Sequence, residues 1–266
     1  MTLNRRPGQS GAFEAAGGVP AGASSHKSHP VWSAEQWLSG MAPYLVAIGL
    51  DGLSADQRQK LAQYMQLLQK WNATYNLTAL RDPQDMLSHH LADCLAVLAP
   101  LSRHLGRHLG QNLAPQPGEG AAGSAPSTKL LDVGSGGGLP GVVLAIARPD
   151  VAVTCVDTVG KKAAFIRQVA AELKLNNLKA EHARVEQLKG QYEVITSRAF
   201  ASLVDFVSLT GTLLAPGGVW MAMKGKTPTD EQAALPDTID VFHVEPLVVP
   251  GLDADRCVVW MRPRQK

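Results

Sequence analysis

Cysteine is scarce in this sequence, which contains only Cys94, Cys155 and Cys257, far apart and odd in number. This pattern excludes a disulfide framework and a CxxC metal site, so we expect no metal and a reducing, cytoplasmic compartment. An excess of one charge sign is also lacking, because 25 Lys+Arg stand against 23 Asp+Glu and leave a net charge of +2. That balance excludes a histone-like, uniformly basic nucleic-acid binder but leaves room for a local basic patch.

Long apolar runs are absent as well. No stretch approaches the roughly 20 residues that a transmembrane helix needs, and the first residues lack the apolar core of a signal peptide. Hydrophobic residues nevertheless make up 45% of the 266 positions, which is enough to bury a sizeable core. We therefore expect a globular protein without a membrane segment.

Two stretches rich in Gly, Ala, Ser and Pro divide the chain. Residues 1–30 are predicted to form a disordered N-terminal extension, and residues 106–127 a flexible linker or insertion. Residues 31–105, which lie between them, are predicted to form a small helical cap. Residues 128–266 are predicted to form the second ordered unit, which carries the functional signals described below.

The helical cap is predicted from apolar residues that recur with the period of an α-helix. One such stripe follows Ser54, the expected N-cap, and consists of Leu61, Tyr64, Met65, Leu68 and Trp71. A second stripe runs from Met86 to Leu98 and is predicted to end at Pro100.

After residue 128, short apolar runs alternate with helical segments, which is typical of βαβ units around a parallel sheet. The predicted strands are residues 129–133, 151–157, 192–199 and 219–225, and the predicted helices are residues 161–175 and 201–214. Two last runs, residues 241–249 and 256–262, have no helix between them and are predicted to pair as an antiparallel hairpin at the sheet edge. The pattern as a whole predicts an α/β fold.

The strongest functional signal is the glycine-rich loop GSGGGLPG at residues 134–141, directly after the first predicted strand. Gly134, Gly136 and Gly138 give the spacing GxGxG. Glycine lets the backbone turn sharply and approach a ligand without a Cβ in the way. In open α/β sheets, ligands bind beyond the carboxyl ends of the strands, where this loop is predicted to lie.

Two cofactor classes compete for this loop. A dinucleotide requires GxGxxG directly after the strand, but the third glycine of that register falls on Leu139. The shifted register Gly136, Gly138 and Gly141 starts two residues late. A GxGxG loop after an acidic strand end better fits S-adenosylmethionine, which has no phosphate. Asp157 ends the next strand, where a carboxylate can accept hydrogen bonds from ribose hydroxyls, so it supports a nucleoside cofactor without choosing between the two classes.

Several motifs together resemble one family. They are KWNATYNLTALRDP (70–83), HHLADCLAV (89–97), the loop GSGGGLPG, VDTVGKK (156–162), FIRQVAAELKL (165–175), SRAFASL (197–203) and MKGK (223–226). In this order they resemble the RsmG (GidB) family of bacterial 16S rRNA guanine-N7 methyltransferases. The resemblance runs from about Ala55 to Arg262 and is interrupted by the 106–127 insertion.

The resemblance implies a class I methyltransferase fold, which is Rossmann-like and has a seven-stranded sheet with an antiparallel edge hairpin. It implies S-adenosyl-L-methionine as cofactor and methylation of N7 of guanine 527 in 16S rRNA. The implied partner is 16S rRNA or the 30S ribosomal particle, with the enzyme acting as a monomer in the cytoplasm.

Matched by motif, the cofactor-contacting positions of that family fall on Gly134, Leu139, Val185, Glu186 and Arg198. The pair Val185–Glu186 is expected to border the adenine.

Three further assignments follow from position. Gly136 belongs to the same loop, Asp157 is expected to hold the ribose, and Asp132 is expected to lie at the methionine end of the cofactor.

Arg198 and Lys224 are the candidates for a direct role in catalysis, since they lie at the ends of adjacent predicted strands. Together they can hold an RNA phosphate. The structural alternative for Arg198 is an ion pair with an acid such as Asp132, because a charged group buried alone is costly. Further basic residues either form an ordinary solvated face or, clustered with Arg198 and Lys224, a basic rim: Arg148, Lys161, Lys162, Arg167 and Arg184.

Three other functions remain open from the residues alone. The same fold serves small-molecule methyltransferases, and the loop has a distant likeness to that of nicotinamide-dependent oxidoreductases. A non-enzymatic RNA-binding factor with a vestigial pocket is the third, although the intact glycines, Asp157 and Arg198 argue against it.

Overall fold

The computed structural model describes residues 30–106 and 128–264. The predicted extension over residues 1–30 and the predicted linker over residues 106–127 therefore lie outside the described residues, except for Pro30 and Gly106. Within the described ranges, no helix combines the length and the apolar character that crossing a bilayer requires.

The first described range folds into helices, as the apolar period predicts. They are α1 (Ala34–Ala47), α2 (Ala55–Tyr75), α3 (Pro83–Met86), α4 (Asp93–Leu95) and α5 (Leu98–His104), with a π-helical turn at Leu87–Ala92 between α3 and α4. The N-cap prediction at Ser54 is confirmed. Its hydroxyl accepts from the Gln57 amide, and the Gln57 side chain accepts from the Ser54 amide in return.

The predicted end of the second stripe at Pro100 is wrong. Pro100 lies within the first turn of α5, which begins at Leu98. Proline is tolerated in a first turn because its missing N–H would have no partner inside the helix there. The helical residues that carry the stripe instead end at Leu95, and a turn at Ala96 and Val97 separates them from α5.

The second described range forms one seven-stranded sheet. Its strands are β1 (Thr128–Val133), β2 (Val151–Asp157), β3 (Leu178–His182), β4 (Tyr192–Arg198), β5 (Leu214–Lys224), β6 (Ile239–Pro246) and β7 (Cys257–Pro263). The spatial order is β3-β2-β1-β4-β5-β7-β6. The strands β1 to β5 pair in parallel, whereas β7 is antiparallel to both β5 and β6. The expected seven strands and the edge hairpin are thus confirmed.

Helices connect these strands: α6 (Gly141–Ala147), α7 (Gly160–Glu172), α8 (Leu203–Thr210) and α9 (Thr229–Ala233). Helix α7 is shorter than the predicted 161–175, because Lys174 adopts a left-handed φ of 54° and the chain turns toward β3. Helix α8 is shorter than the predicted 201–214, since a 3₁₀ turn at Gly211–Leu213 follows it and Leu214 already belongs to β5.

Apolar side chains form a core on each face of the sheet. The larger core joins the helices of the first range to β1, β2, α6 and α7, and it encloses the fully buried Trp37, Tyr64 and Phe165. The smaller core lies on the other face under α8, around Phe206 and Trp220. The helical cap and the sheet therefore share one continuous apolar interior.

Candidate functional site

The glycine-rich loop lies at the carboxyl edge of the sheet, between β1 and α6. Gly134 has a φ of 68° and Gly136 a φ of 57°, both in the left-handed region that favours glycine. A Cβ added to Gly134 would lie 2.6 Å from Cδ2 of Phe200. Phe200 of the SRAF motif thus covers the start of the loop, and only glycine leaves room for it.

Asp157 anchors this loop to the end of β2. Its Oδ2 accepts a hydrogen bond from the Gly136 amide at 2.9 Å, and its Oδ1 accepts from the Val159 amide at 2.8 Å. Lys162 Nζ lies 3.9 Å from Oδ2. Each carboxylate oxygen retains a second acceptor site, so the geometry leaves capacity for a ribose hydroxyl. The ribose contact stays a prediction.

Asp132 is fully buried at the end of β1. Its Oδ2 accepts from the Gly141 amide at 2.8 Å, whereas its Oδ1 has no hydrogen-bond partner among the described residues. Burial raises the pKa of this carboxyl to about 7, against the opposing effects of the Gly141 N–H and of Arg198. Asp132 points into the interior in this structure. Its expected contact with the methionine end of the cofactor stays a prediction.

The Asp132–Gly141 hydrogen bond bears on the choice of cofactor. A dinucleotide places its pyrophosphate on the amides at the N-terminus of the helix after the loop. Here the first amide of α6 already donates to Asp132, a fully buried carboxyl group. The loop therefore fits S-adenosylmethionine, a nucleoside without phosphate, better than it fits a dinucleotide.

The other predicted cofactor positions lie at the same edge of the sheet. Leu139 is 4% exposed and packs into the larger core. Val185 is buried and Glu186 exposed in a 3₁₀ turn, Val185–Gln187, that follows β3. Their contacts with the adenine and the loop ligand stay predictions.

Arg198 occupies the end of β4, directly after Ser197, which pairs with Val133 at the start of the loop. Its Nη1 donates to Asp93 Oδ2 at 3.1 Å and to the carbonyl of His89 at 3.0 Å. The alternative of an ion pair with an acid is confirmed, but the acid is Asp93 of the helical cap and not Asp132, the example named from the sequence.

Asp93 also binds a second arginine. It is 3% exposed, and its Oδ1 accepts from Arg256 Nε at 3.0 Å. Two guanidinium groups thus meet one carboxylate, so these three side chains together carry a formal net charge of one positive unit. Sequence reasoning assigned no role to Asp93 in binding Arg198 or Arg256, although the HHLADCLAV motif contains the aspartate.

Lys224 has a different partner. Its Nζ lies 2.7 Å from Glu231 Oε2 and donates to the carbonyl of Ala201 at 3.0 Å. The strand ends are adjacent as expected, since Arg198 pairs with Met223. Arg198 and Lys224 are nevertheless paired with separate carboxylates. That the two side chains bind one phosphate together stays a prediction.

One member of the predicted basic rim lies elsewhere. Arg148 is 3% exposed and donates to both carboxylate oxygens of Asp150 and to the Ser102 hydroxyl. It follows α6 and precedes β2, at the opposite edge of the sheet from Arg198. Arg148 is therefore a buried structural residue, because its charge is fully paired where it lies.

The cysteines are buried and unreactive. Burial raises the pKa of Cys94, Cys155 and Cys257, so their thiols stay protonated at neutral pH. The site consequently offers positioned cations and a glycine loop but no activated thiolate.

This combination defines a class. A parallel sheet of order β3-β2-β1-β4-β5 closed by an antiparallel β7-β6 hairpin, with a GxGxG loop after β1 and an acid ending β2, is that of a class I S-adenosylmethionine-dependent methyltransferase.

Comparison with known proteins gives the family within this class. A family profile described as rRNA small subunit methyltransferase G, GidB, matches residues 57–108 and 120–259. The chain belongs to this family.

Two relatives carry the same description, "Ribosomal RNA small subunit methyltransferase G". That of Paracidovorax citrulli is 58% identical over 219 residues, covering 82% of this chain and 87% of the relative. That of Leptothrix cholodnii is 62% identical over 213 residues, covering 80% and 89%. Among solved structures, TrmN from Thermus thermophilus matches with a TM-score of 0.45 and 19% identity, covering 67% of this chain and 53% of that one.

Proposed function

We propose that this enzyme methylates N7 of one guanine, at position 527, in 16S ribosomal RNA. The observation that carries the proposal is the 58–62% identity, over most of both chains, with relatives named ribosomal RNA small subunit methyltransferase G. The 30S particle or its 16S rRNA is the partner, and the enzyme acts as a monomer in the cytoplasm.

The chemistry of the site supports an N7 acceptor. When bound, S-adenosylmethionine supplies a methyl group on a positively charged sulfur. Guanine N7 has a free lone pair at neutral pH, so it requires neither a nucleophilic residue nor a general base. Methylation at C5 of a pyrimidine would instead require a reactive thiolate, and the three buried cysteines do not supply one.

The residues of the chain then act mainly by alignment. The Gly134–Leu139 loop and Asp157, which bind each other, would hold the cofactor, and Val185 and Glu186 in the turn after β3 would border its adenine. Arg198 and Arg256, which share Asp93, present positive charge at the carboxyl edge of the sheet. Such charge attracts an RNA phosphate and fixes the register of the target nucleotide.

The proposal is tested by methyl transfer to three substrates: 30S particles that lack the modification, deproteinised 16S rRNA and a small-metabolite extract. Labelled S-adenosylmethionine is the donor, and digested RNA is analysed by mass spectrometry. We expect label in RNA as 7-methylguanosine at a single position. Label in a metabolite would favour the small-molecule alternative, and a methylated cytidine would contradict the N7 chemistry.

A further inference from the structure

One hydrogen bond to the cofactor loop comes from the helical cap and not from the residues that form the sheet and its connecting helices. Within that unit, Asp157 binds the Gly136 amide, Asp132 binds the Gly141 amide, and the carbonyl of Ser135 accepts from the Gly138 amide at 2.8 Å. The carbonyl of Gly137, at the middle of the loop, accepts from the hydroxyl of Tyr64 at 2.8 Å. Tyr64 belongs to α2 in the helical cap.

Tyr64 is held rigidly where it makes this bond. It is fully buried, and its ring lies 6.4 Å from that of Phe165 on α7. Burial raises the pKa of Tyr64 well above its ordinary value, so the phenol stays neutral and remains a donor. A fixed donor of this kind restricts the position of the carbonyl it binds.

The same helix touches the loop and the helix that follows it at two more points. One turn after Tyr64, the side chain of Leu68 fits against Gly137, where an added Cβ would lie 2.8 Å from Leu68 Cδ1. Two turns before Tyr64 in α2, Gln57 Nε2 donates to the carbonyls of Ile146 and Ala147 at the end of α6. Helix α2 therefore contacts both the loop and the end of α6.

We infer that Tyr64 is a positioning residue for S-adenosylmethionine, which fixes the Gly137 carbonyl and with it the conformation of the loop. The helical cap then completes the cofactor site through the loop, because the buried Tyr64 hydroxyl binds the Gly137 carbonyl. Loss of the hydroxyl frees the loop to sample other conformations, so part of the binding energy is spent on ordering it. The effect concerns cofactor affinity and is independent of which methyl acceptor the enzyme uses.

The test is the isosteric variant Tyr64→Phe, which removes only the hydroxyl. Calorimetry with S-adenosyl-L-homocysteine should show a roughly three- to tenfold rise in Kd, the size expected for one hydrogen bond. In methyl transfer, KM for S-adenosylmethionine should rise by the same factor. The kcat at saturating cofactor and the KM for RNA should stay at the values of the unmodified enzyme.

Tyr44→Phe is the matched control, since it removes a phenol hydroxyl from α1 and leaves the loop untouched. Its Kd should equal that of the unmodified enzyme. A Kd for folded Tyr64→Phe within twofold of the unmodified enzyme would overturn the inference. A rise in KM for RNA without a change in cofactor Kd would overturn it as well.

A second variant covers the case in which Tyr64→Phe does not fold. Gly137→Ala approaches the same contact from the loop side, because its Cβ would press on Leu68 and move the loop away from α2. Its circular dichroism should match that of the unmodified enzyme, and its Kd for S-adenosyl-L-homocysteine should rise. An unchanged Kd in folded Gly137→Ala would show that the contact with α2 does not set the loop for the cofactor.

Discussion

Replacing Asp93 by asparagine should destabilise the protein far more than the same change at a surface ion pair. Asp93 is 3% exposed and accepts from both Arg198 and Arg256, whose side chains are 21% and 23% exposed. Asparagine keeps the shape of the side chain but removes its charge, so two largely buried guanidinium groups lose the carboxylate that they share. Removing one partner of a buried ion pair costs about 3–5 kcal/mol.

We expect Asp93→Asn to lie at the low end of that range, ~3 kcal/mol, because the amide oxygen can still accept one hydrogen bond and each arginine retains some solvent contact. For a protein of this size, each kcal/mol lowers Tm by about 2–4 °C. The expected loss is therefore roughly 6–12 °C in a calorimetric scan without cofactor.

The matched control is Asp240→Asn, which breaks the Arg262–Asp240 pair. Its Nε–Oδ2 distance is 2.9 Å, close to that of Arg256 and Asp93, but its side chains are 51% and 32% exposed. Exposed pairs contribute at most about 1 kcal/mol. Equal losses in the two variants would refute the argument, because burial would then not govern the cost.

Two further predictions concern the cofactor site and the chemistry. Asp157→Ala removes the carboxylate that accepts from the Gly136 amide and from the predicted ribose hydroxyl. Calorimetry should therefore show S-adenosylmethionine binding weakened about tenfold or more. Unchanged affinity in a variant with native circular dichroism would contradict the assignment of Asp157 to the ribose. A variant with Cys94, Cys155 and Cys257 changed to alanine should keep methyl transfer to RNA, because the buried thiols take no part in the reaction; loss of activity in the folded variant would count against the proposed N7 chemistry.

Local signals in the sequence were sufficient for much of the fold. The cap at Ser54 depends on residues three positions apart, and the strands β1, β2 and β4 are buried apolar runs. Strand β3 has no such signal, because only Leu178 of its five residues is buried. An edge strand with one covered side chain differs little in pattern from a loop, so the apolar pattern alone did not predict it.

The candidate site, like the fold, could be predicted from the sequence only in part. Strand ends place Asp157 and Arg198 at the carboxyl edge, which the alternation of strands and helices is enough to predict. The partner of Arg198 is 105 residues away in sequence, and that of Tyr64 is 73 residues away. Such polar pairs follow from how the cap packs on the sheet, and single-sequence periodicity contains no information about that packing.

The shared apolar interior has a consequence for synthesis of the chain. A ribosome delivers the N-terminal helices first, whereas α6 and α7, which cover the buried face of α2, begin 86 and 105 residues after α2 begins at Ala55. Until then the apolar stripe of α2 has no partner from the sheet and exposes surface that favours aggregation. The nascent chain is therefore prone to aggregation until α7 has left the exit tunnel.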